Sequence, residues 1–146
     1  MVTRTSEEIK IGQLAIRFLL EGQASGGSVA VFELDVPAGA KVPVAHSHDG
    51  YEETIYGIKG VLTLTVAGRQ TEVGPGEALC IPRGAVHRFD NRHAVDANVL
   101  AIVSPGILGP AYFREIAVVV DAAAGGPPDP AALAEVMRRH GLTPAP

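Results

Sequence analysis

Short apolar runs dominate the chain from about residue 13 to residue 104. They are rich in Val, Ile, Leu, Phe and Thr, and Gly, Pro, Asp or Asn closes each run. Several runs alternate apolar and polar residues, as strands with one buried face do. Residues 62–73 predict a hairpin that turns at Ala67 and Gly68. Short strands at such regular spacing are typical of an all-β sandwich or barrel.

A helical pattern replaces this alternation towards the end of the chain. Apolar residues recur at the spacing of one helix face over residues 113–120, after Pro110, which the first turn of a helix tolerates. The β-branched residues 118–120 also fit a strand, so both interpretations stay open there. A second helix is predicted from its cap at Asp129 to its stop at Gly141.

Length and composition describe an ordinary globular domain. The chain has 146 residues, of which 47% are hydrophobic and 19% are charged. We therefore expect one domain over residues 1–146, with a barrel over about residues 12–105 and a helical tail over about residues 109–141. The single cysteine, Cys80, cannot form an intramolecular disulfide, so the fold must depend on its apolar core.

Charge and hydropathy exclude several classes of partner. The net charge is −4 and no basic run is present, so we expect no binding to nucleic acid or to an anionic membrane surface. No stretch approaches the roughly 18 apolar residues that predict a membrane span. The first ten residues contain two glutamates and no apolar signal segment, so we expect a cytoplasmic protein.

Histidines supply the candidate chemistry. His46 and His48 are two residues apart, which places both imidazoles on one face of a strand. The turn formers Asp49 and Gly50 follow, so the next strand can bring a carboxylate to the pair. A third imidazole, His87, follows a Pro-Arg-Gly turn where another strand is predicted to enter the barrel.

Two motifs make the chain resemble the cupin superfamily, and its small bacterial single-domain members in particular. The pattern G-x5-P-x-G-x2-H-x3-N fits fully, at Gly76, Pro82, Gly84, His87 and Asn91. The pattern G-x5-H-x-H-x3,4-E-x6-G fits at His46, His48, Glu53 and Gly60, although its first glycine, Gly39, stands one place early. The resemblance covers about residues 28–104 and leaves the helical tail outside it.

The resemblance implies a fold and a metal site. The fold is a double-stranded β-helix, or jelly roll, and the ligands are His46, His48, Glu53 and His87. The motif spacing selects Glu53, so Glu52 becomes its outward neighbour on the strand. Imidazole and carboxylate ligands suit one divalent transition-metal ion per chain, with iron or manganese favoured over zinc, nickel, cobalt and copper.

The pocket next to this site is expected to be partly apolar. By strand alternation Ile55 lies beside Glu53 and Phe89 beside His87, so both should line the pocket. Arg83 and Arg88 are the only nearby cations in the sequence, and Arg88 should point outward, which disfavours a phosphate ligand. A small, partly apolar organic molecule is therefore the expected substrate.

Three functions fit such a site. The resemblance favours a metal-dependent dioxygenase over a redox-neutral isomerase, lyase or polyketide cyclase, and over a binding protein without catalysis. Similar cupins pair through their barrel faces, so a homodimer is also expected.

The remaining polar residues of interest are not expected to be metal ligands. His93 is expected in a solvated turn, and His140 is expected at a helix C-terminus, where the helix dipole favours a cation. Asn91 is interpreted as a turn residue and Cys80 as a small apolar residue on one barrel face. Tyr51 and Tyr56 fit either pocket donors or residues of a dimer face.

Overall fold

The computed structural model describes residues 7–146. Its strands are β1 (Ile9–Ile11), β2 (Leu14–Leu20), β3 (Ala30–Val36), β4 (His46–His48), β5 (Glu52–Lys59), β6 (Leu62–Val66), β7 (Arg69–Val73), β8 (Ala78–Ile81), β9 (His87–Asp90), β10 (Ala97–Ser104) and β11 (Leu142–Pro144). The helices are a short 3-10 helix (Gly22–Ser25), α1 (Pro110–Ala122) and α2 (Pro130–Arg139).

The strands form two sheets that pack face to face. One sheet has the order β1-β2-β3-β10-β5-β8 and the other has the order β11-β4-β9-β6-β7. The pairings between these strands are antiparallel, and partners such as β3 and β10 are far apart in sequence. This arrangement is a jelly roll with a C-terminal helical tail, so the predicted all-β fold class is confirmed.

The core lies between the two sheets. Alternate residues of β3 and β10 are buried, and the intervening ones are half-buried or exposed. The fully buried set also includes Leu62 and Leu64 of β6 and Ile81 of β8. Each large apolar side chain removed from water stabilises the fold by roughly 1.5–3 kcal/mol, so this inner layer is the main stabilising element.

Local turn and cap signals match the structure closely. Ala67 and Gly68 join β6 to β7 with φ values of 49° and 80°. Positive φ at both central positions is what a tight type I′ hairpin turn requires. The Asp129 side chain accepts a hydrogen bond from the backbone N–H of Ala131, which caps α2. Gly141 follows the helix with φ of 80°.

The structure also shows which conformation residues 118–120 adopt, and it contains one strand in the tail that was not predicted. Residues 118–120 belong to α1, so their β-branched side chains do not break the helix. The sequence pattern does not predict β11, which pairs with β4 in the register Leu142 to His48 and Pro144 to His46. Among residues 7–146 no helix is long and apolar enough to cross a membrane.

Two glycines of the first motif, Gly39 and Gly60, allow a matched test of how strongly a position requires glycine. Gly60 and Gly39 share a φ of +69°. A Cβ at Gly60 would lie 2.4 Å from the carbonyl oxygen of Asp96, whereas a Cβ at Gly39 would have no other atom within 4 Å. We expect Gly39→Ala to lower the free energy of unfolding by about 1 kcal/mol, through backbone strain alone.

For Gly60→Ala we expect a larger loss, about 3 kcal/mol or more, because the backbone at Asp96 must also move. Urea unfolding of both variants measures the two losses. Equal losses would show that the close approach at Gly60 is not a constraint.

Candidate metal centre

Three imidazoles meet on the inner face of the five-stranded sheet. His46 and His48 lie on β4, and β9 places His87 directly opposite His46. The ring centroids are 4.7 Å apart for His46 and His87, 4.4 Å for His48 and His87, and 5.2 Å for His46 and His48. One nitrogen from each ring lies within 4.8 Å of the others, close enough for one ion to bind all three.

Glu53 approaches this group from the opposite sheet. Its Oε1 lies 3.7 Å from Nε2 of His48 and 3.9 Å from Nε2 of His87, and its side chain is 13% exposed. Glu52 instead faces outward and pairs with Arg83 on the surface. The structure therefore places Glu53, and not Glu52, beside the imidazoles.

Backbone carbonyls set the orientation of two rings. Nδ1 of His46 lies 2.9 Å from the carbonyl oxygen of Val44, and Nδ1 of His87 lies 2.9 Å from that of Ala85. A carbonyl oxygen only accepts, so each Nδ1 carries the hydrogen and each Nε2 presents a lone pair. Nε2 of His87 is buried and has no hydrogen-bond partner within the described part of the chain.

His48 is held differently. Its ring stacks on Tyr51, with ring centroids 4.4 Å apart and an angle of 22° between the planes. The ring is 2% exposed, and its Nδ1 also has no hydrogen-bond partner. Packing, and not a carbonyl acceptor, therefore fixes this third imidazole.

Burial sets the protonation states of all four side chains. It lowers the pKa of His46 to about 4 and that of His48 to about 2, with a further contribution from the neighbouring imidazoles. Burial also lowers the pKa of His87, and it raises the pKa of Glu53 to about 7. Near neutral pH the rings are therefore uncharged, and Glu53 exchanges between a neutral acid and an anion that no described donor compensates.

These observations fit a divalent transition-metal ion. The orphaned Nε2 of His87, the fixed ring of His46 and the uncompensated carboxylate of Glu53 all point to the same place. Three neutral nitrogens and one anionic oxygen are a donor set that iron, manganese, cobalt, nickel, copper and zinc all accept. His46, His48, Glu53 and His87 would hold the ion.

A small apolar cavity of about 70 Å³ adjoins the four side chains. Ile55 and Phe89 lie in its wall, where strand alternation predicts them. Polar side chains in the wall are few: the three histidines, Glu53 and Tyr112. The other lining residues are Ile11, Leu14, Ile16, Phe32, Leu34, Pro43, Leu62, Leu64, Ile81, Leu108, Phe113, Ile116 and Leu142.

The remaining histidines lie elsewhere. His93 pairs with Glu72 at 2.8 Å on the surface, and His140 follows α2 and contacts Glu115. Neither belongs to the cluster. Asn91 is buried and donates from its amide to the carbonyls of Val36 and Val95, which is the structural role predicted for it.

Cys80 and the arginines lie on the outside. Cys80 is exposed on the edge strand β8, so its interpretation as a packed apolar residue was wrong. Parity along a strand relates two residues to one face but does not say which face is buried. Arg88 bonds to Asp90 on the surface and so points outward, as expected.

Sequence reasoning left Tyr51 and Tyr56 open between pocket and dimer face, and it did not identify Tyr112. Tyr51 is fully buried and its hydroxyl has no partner, whereas Tyr56 is 40% exposed on the outer face of β5. Tyr112 of α1 lies in the cavity wall. Burial, and then the charge of Glu53, raises the pKa of both Tyr51 and Tyr112. The signal for Tyr112 was its spacing of four residues from Ile116 on the apolar helix face.

The fold and the motif residues agree with a family comparison. Residues 32–103 match the family model described as Cupin domain. The chain is a member of the cupin superfamily. A solved structure of a predicted oxalate decarboxylase from Thermotoga maritima superposes with a TM-score of 0.64 at 23% identity, covering 72% of this chain and 99% of that one. At that identity the likeness concerns the fold.

Two curated proteins are similar in sequence to this cupin. Quercetin 2,3-dioxygenase of Bacillus subtilis is 25% identical over 112 residues, which is 75% of this chain and 32% of that protein. The tetracenomycin polyketide synthase protein TcmJ of Streptomyces glaucescens is 37% identical over 60 residues, which is 41% of this chain and 40% of that protein. The chain thus spans two fifths or less of either relative.

Metal content tests the assignment of ligands. We expect His46→Ala and His87→Ala each to lose most of the bound metal, because each removes one of three converging nitrogens. The measurement is elemental analysis after purification without chelator and after dialysis. His93→Ala is the matched control, since His93 pairs with Glu72 on the surface, and should retain the wild-type content. Full metal content in both site variants would refute the assignment.

The pH dependence of metal binding tests the role of Glu53. Its pKa is raised to about 7, so below that pH a proton must leave before the carboxylate can bind an ion. The imidazoles are already neutral there, because burial lowers their pKa values. We expect the affinity to fall about tenfold per pH unit below pH 7 and to level off above it.

Calorimetry in buffers of different ionisation enthalpy counts the protons released. We expect about one proton per ion near pH 6 and almost none near pH 8. Glu53→Gln should remove this difference, since its amide does not titrate. Equal proton release at both pH values in the wild type would contradict a role for Glu53 as a ligand.

Proposed function

We propose that this cupin is a metal-dependent dioxygenase that acts on a small, partly apolar organic substrate. The observation that carries the proposal is the convergence of three neutral imidazoles and one uncompensated carboxylate on an apolar cavity. The similarity to quercetin 2,3-dioxygenase supports the reaction class. This similarity does not identify the substrate, because the chain spans only about a third of that protein.

The four candidate ligands are compatible with catalysis at a bound ion. A redox-active divalent ion held by His46, His48, Glu53 and His87 would supply a Lewis acid and a template for substrate and dioxygen. The backbone carbonyls of Val44 and Ala85 keep the Nε2 lone pairs of His46 and His87 directed at the cavity. Glu53 adds a negative charge that reduces the net charge of the centre.

The cavity wall restricts what can reach this centre. Ile55 and Phe89 present hydrocarbon beside the ligands, so charged molecules that enter the cavity lose hydration without replacement. A volume of about 70 Å³ corresponds to about five water molecules, at roughly 10–15 Å³ for each. This space favours a small organic molecule over a sugar phosphate.

A second candidate is a redox-neutral reaction, such as cyclisation or isomerisation of a polyketide-like compound. The similarity to the polyketide synthase protein TcmJ supports it, since the matched segment is 37% identical. The same four side chains would serve, because a Lewis acid that polarises a carbonyl group needs no change of oxidation state.

Oxygen consumption separates the two candidates. We expect the iron-loaded protein to consume dioxygen with at least one member of a panel of small enediols, thiols and aromatic diols. The zinc-loaded protein and iron-treated His46→Ala should consume none above the rate of free iron. An oxygen electrode and product analysis by mass spectrometry provide the measurement.

The same panel of compounds, tested under nitrogen, shows whether turnover requires dioxygen. Turnover by the zinc-loaded or manganese-loaded protein without oxygen would support the redox-neutral candidate and overturn the dioxygenase. His93→Ala, loaded with iron, should behave as the wild type in both experiments, because His93 lies on the surface.

A further inference from the structure

The helix α1 forms one wall of the metal-site cavity. Tyr112, Phe113 and Ile116 of α1, together with Leu108 before it, face the same cavity as the four candidate ligands. These residues lie outside the segment 32–103 that matches the cupin family. The wall that α1 supplies is therefore an addition to the shared barrel.

Contacts on both sides hold α1 in this place. The Phe113 ring packs against Phe18 and Phe32 of the six-stranded sheet, with ring centroids 5.8 Å and 5.1 Å away. On the other side Glu115 pairs with Arg139 and His140 at the end of α2. The helix is thus fixed between the barrel and the last segment of the chain.

Tyr112 is positioned by its ring and not by its hydroxyl. The ring makes edge contacts with Phe113 and His140, at centroid distances of 5.0 Å and 5.5 Å. The residue is 5% exposed and lies in the cavity wall, and its hydroxyl makes no hydrogen bond to any residue in the described part of the chain. In an apolar wall this hydroxyl can be satisfied by a ligand that supplies an acceptor.

Three other polar side chains of the cavity cannot replace this donor. His46 and His87 use their N–H groups on backbone carbonyls, and Glu53 only accepts when it is ionised. With the imidazole lone pairs and Glu53 committed to the candidate metal centre, the donors that remain among the polar side chains of the wall are the phenol of Tyr112 and Nδ1 of His48, whose ring is stacked on Tyr51.

We infer that Tyr112 donates a hydrogen bond to an oxygen or nitrogen acceptor of a small ligand bound at the candidate metal centre. The inference rests on the proposed metal function and narrows its substrate class. The substrate carries an acceptor atom beside the atom that meets the centre, and its remaining surface is apolar. Tyr112 touches the ligand and helps to decide which molecules bind.

Azide binding to the cobalt-loaded protein tests this inference. Azide is a small anion that binds cobalt through one end and offers further nitrogen lone pairs as acceptors, and the visible spectrum of cobalt reports its binding. We expect Tyr112→Phe to bind azide about tenfold more weakly than the wild type, because one hydrogen bond to a charged group is lost. Tyr56→Phe is the matched control on the outer face and should bind azide as the wild type does.

Stability and cobalt affinity distinguish a ligand contact from a structural role. Since the hydroxyl has no partner among residues 7–146, Tyr112→Phe should keep the melting temperature and the cobalt affinity of the wild type. A lower melting temperature, a failure to fold or an unchanged azide affinity would each overturn the inference. If the wild type binds no cobalt, the proposed function itself fails. Cobalt binding with unchanged azide affinity overturns only the role of Tyr112.

Discussion

The position of Glu53 between the sheets is the constraint on which the site depends. An ionised carboxylate in an apolar interior is unfavourable unless a donor or a cation compensates it, and no described donor reaches Glu53. The three imidazoles beside it are neutral for the same reason, because burial opposes their protonation. One divalent cation would compensate the carboxylate and satisfy the nitrogen lone pairs together. The barrel core must supply the stability that this unfavourable burial removes.

Both sheets are needed to assemble the four side chains. The histidines belong to the five-stranded sheet, and Glu53 belongs to the six-stranded sheet. Their distances are therefore set by how the sheets pack, and any loss of packing separates the carboxylate from the rings. β11 adds to this arrangement, because it pairs with β4 along the residues that include His46 and His48. Without it β4 would be an edge strand, with freer backbone groups and less defined side chains.

Features that depend on residues close together in the sequence could be predicted from it. The turn at Ala67 and Gly68, the cap at Asp129 and the His46 and His48 pair depend on conformations of a few residues. The choice of Glu53 over Glu52 followed from motif spacing, which reflects a strand geometry that many barrels share. β11, Tyr51 and Tyr112 could not be placed in this way, because their roles arise from contacts between distant segments. The wrong interpretation of Cys80 has the same origin, since only the packed sheets decide which strand face is buried.

The cupin barrel by itself does not determine a substrate, because one fold carries many chemistries. In this chain the four candidate ligands and half of the cavity wall come from the segment that matches the family, whereas Leu108, Tyr112, Phe113 and Ile116 come from beyond it. A relative that shares the histidines and Glu53 but has a different segment after β10 would present a different wall to its ligand. If Tyr112 contacts the ligand as inferred, selectivity depends in part on α1, which the aromatic contacts of Phe113 and the ion pairs of Glu115 hold against the barrel.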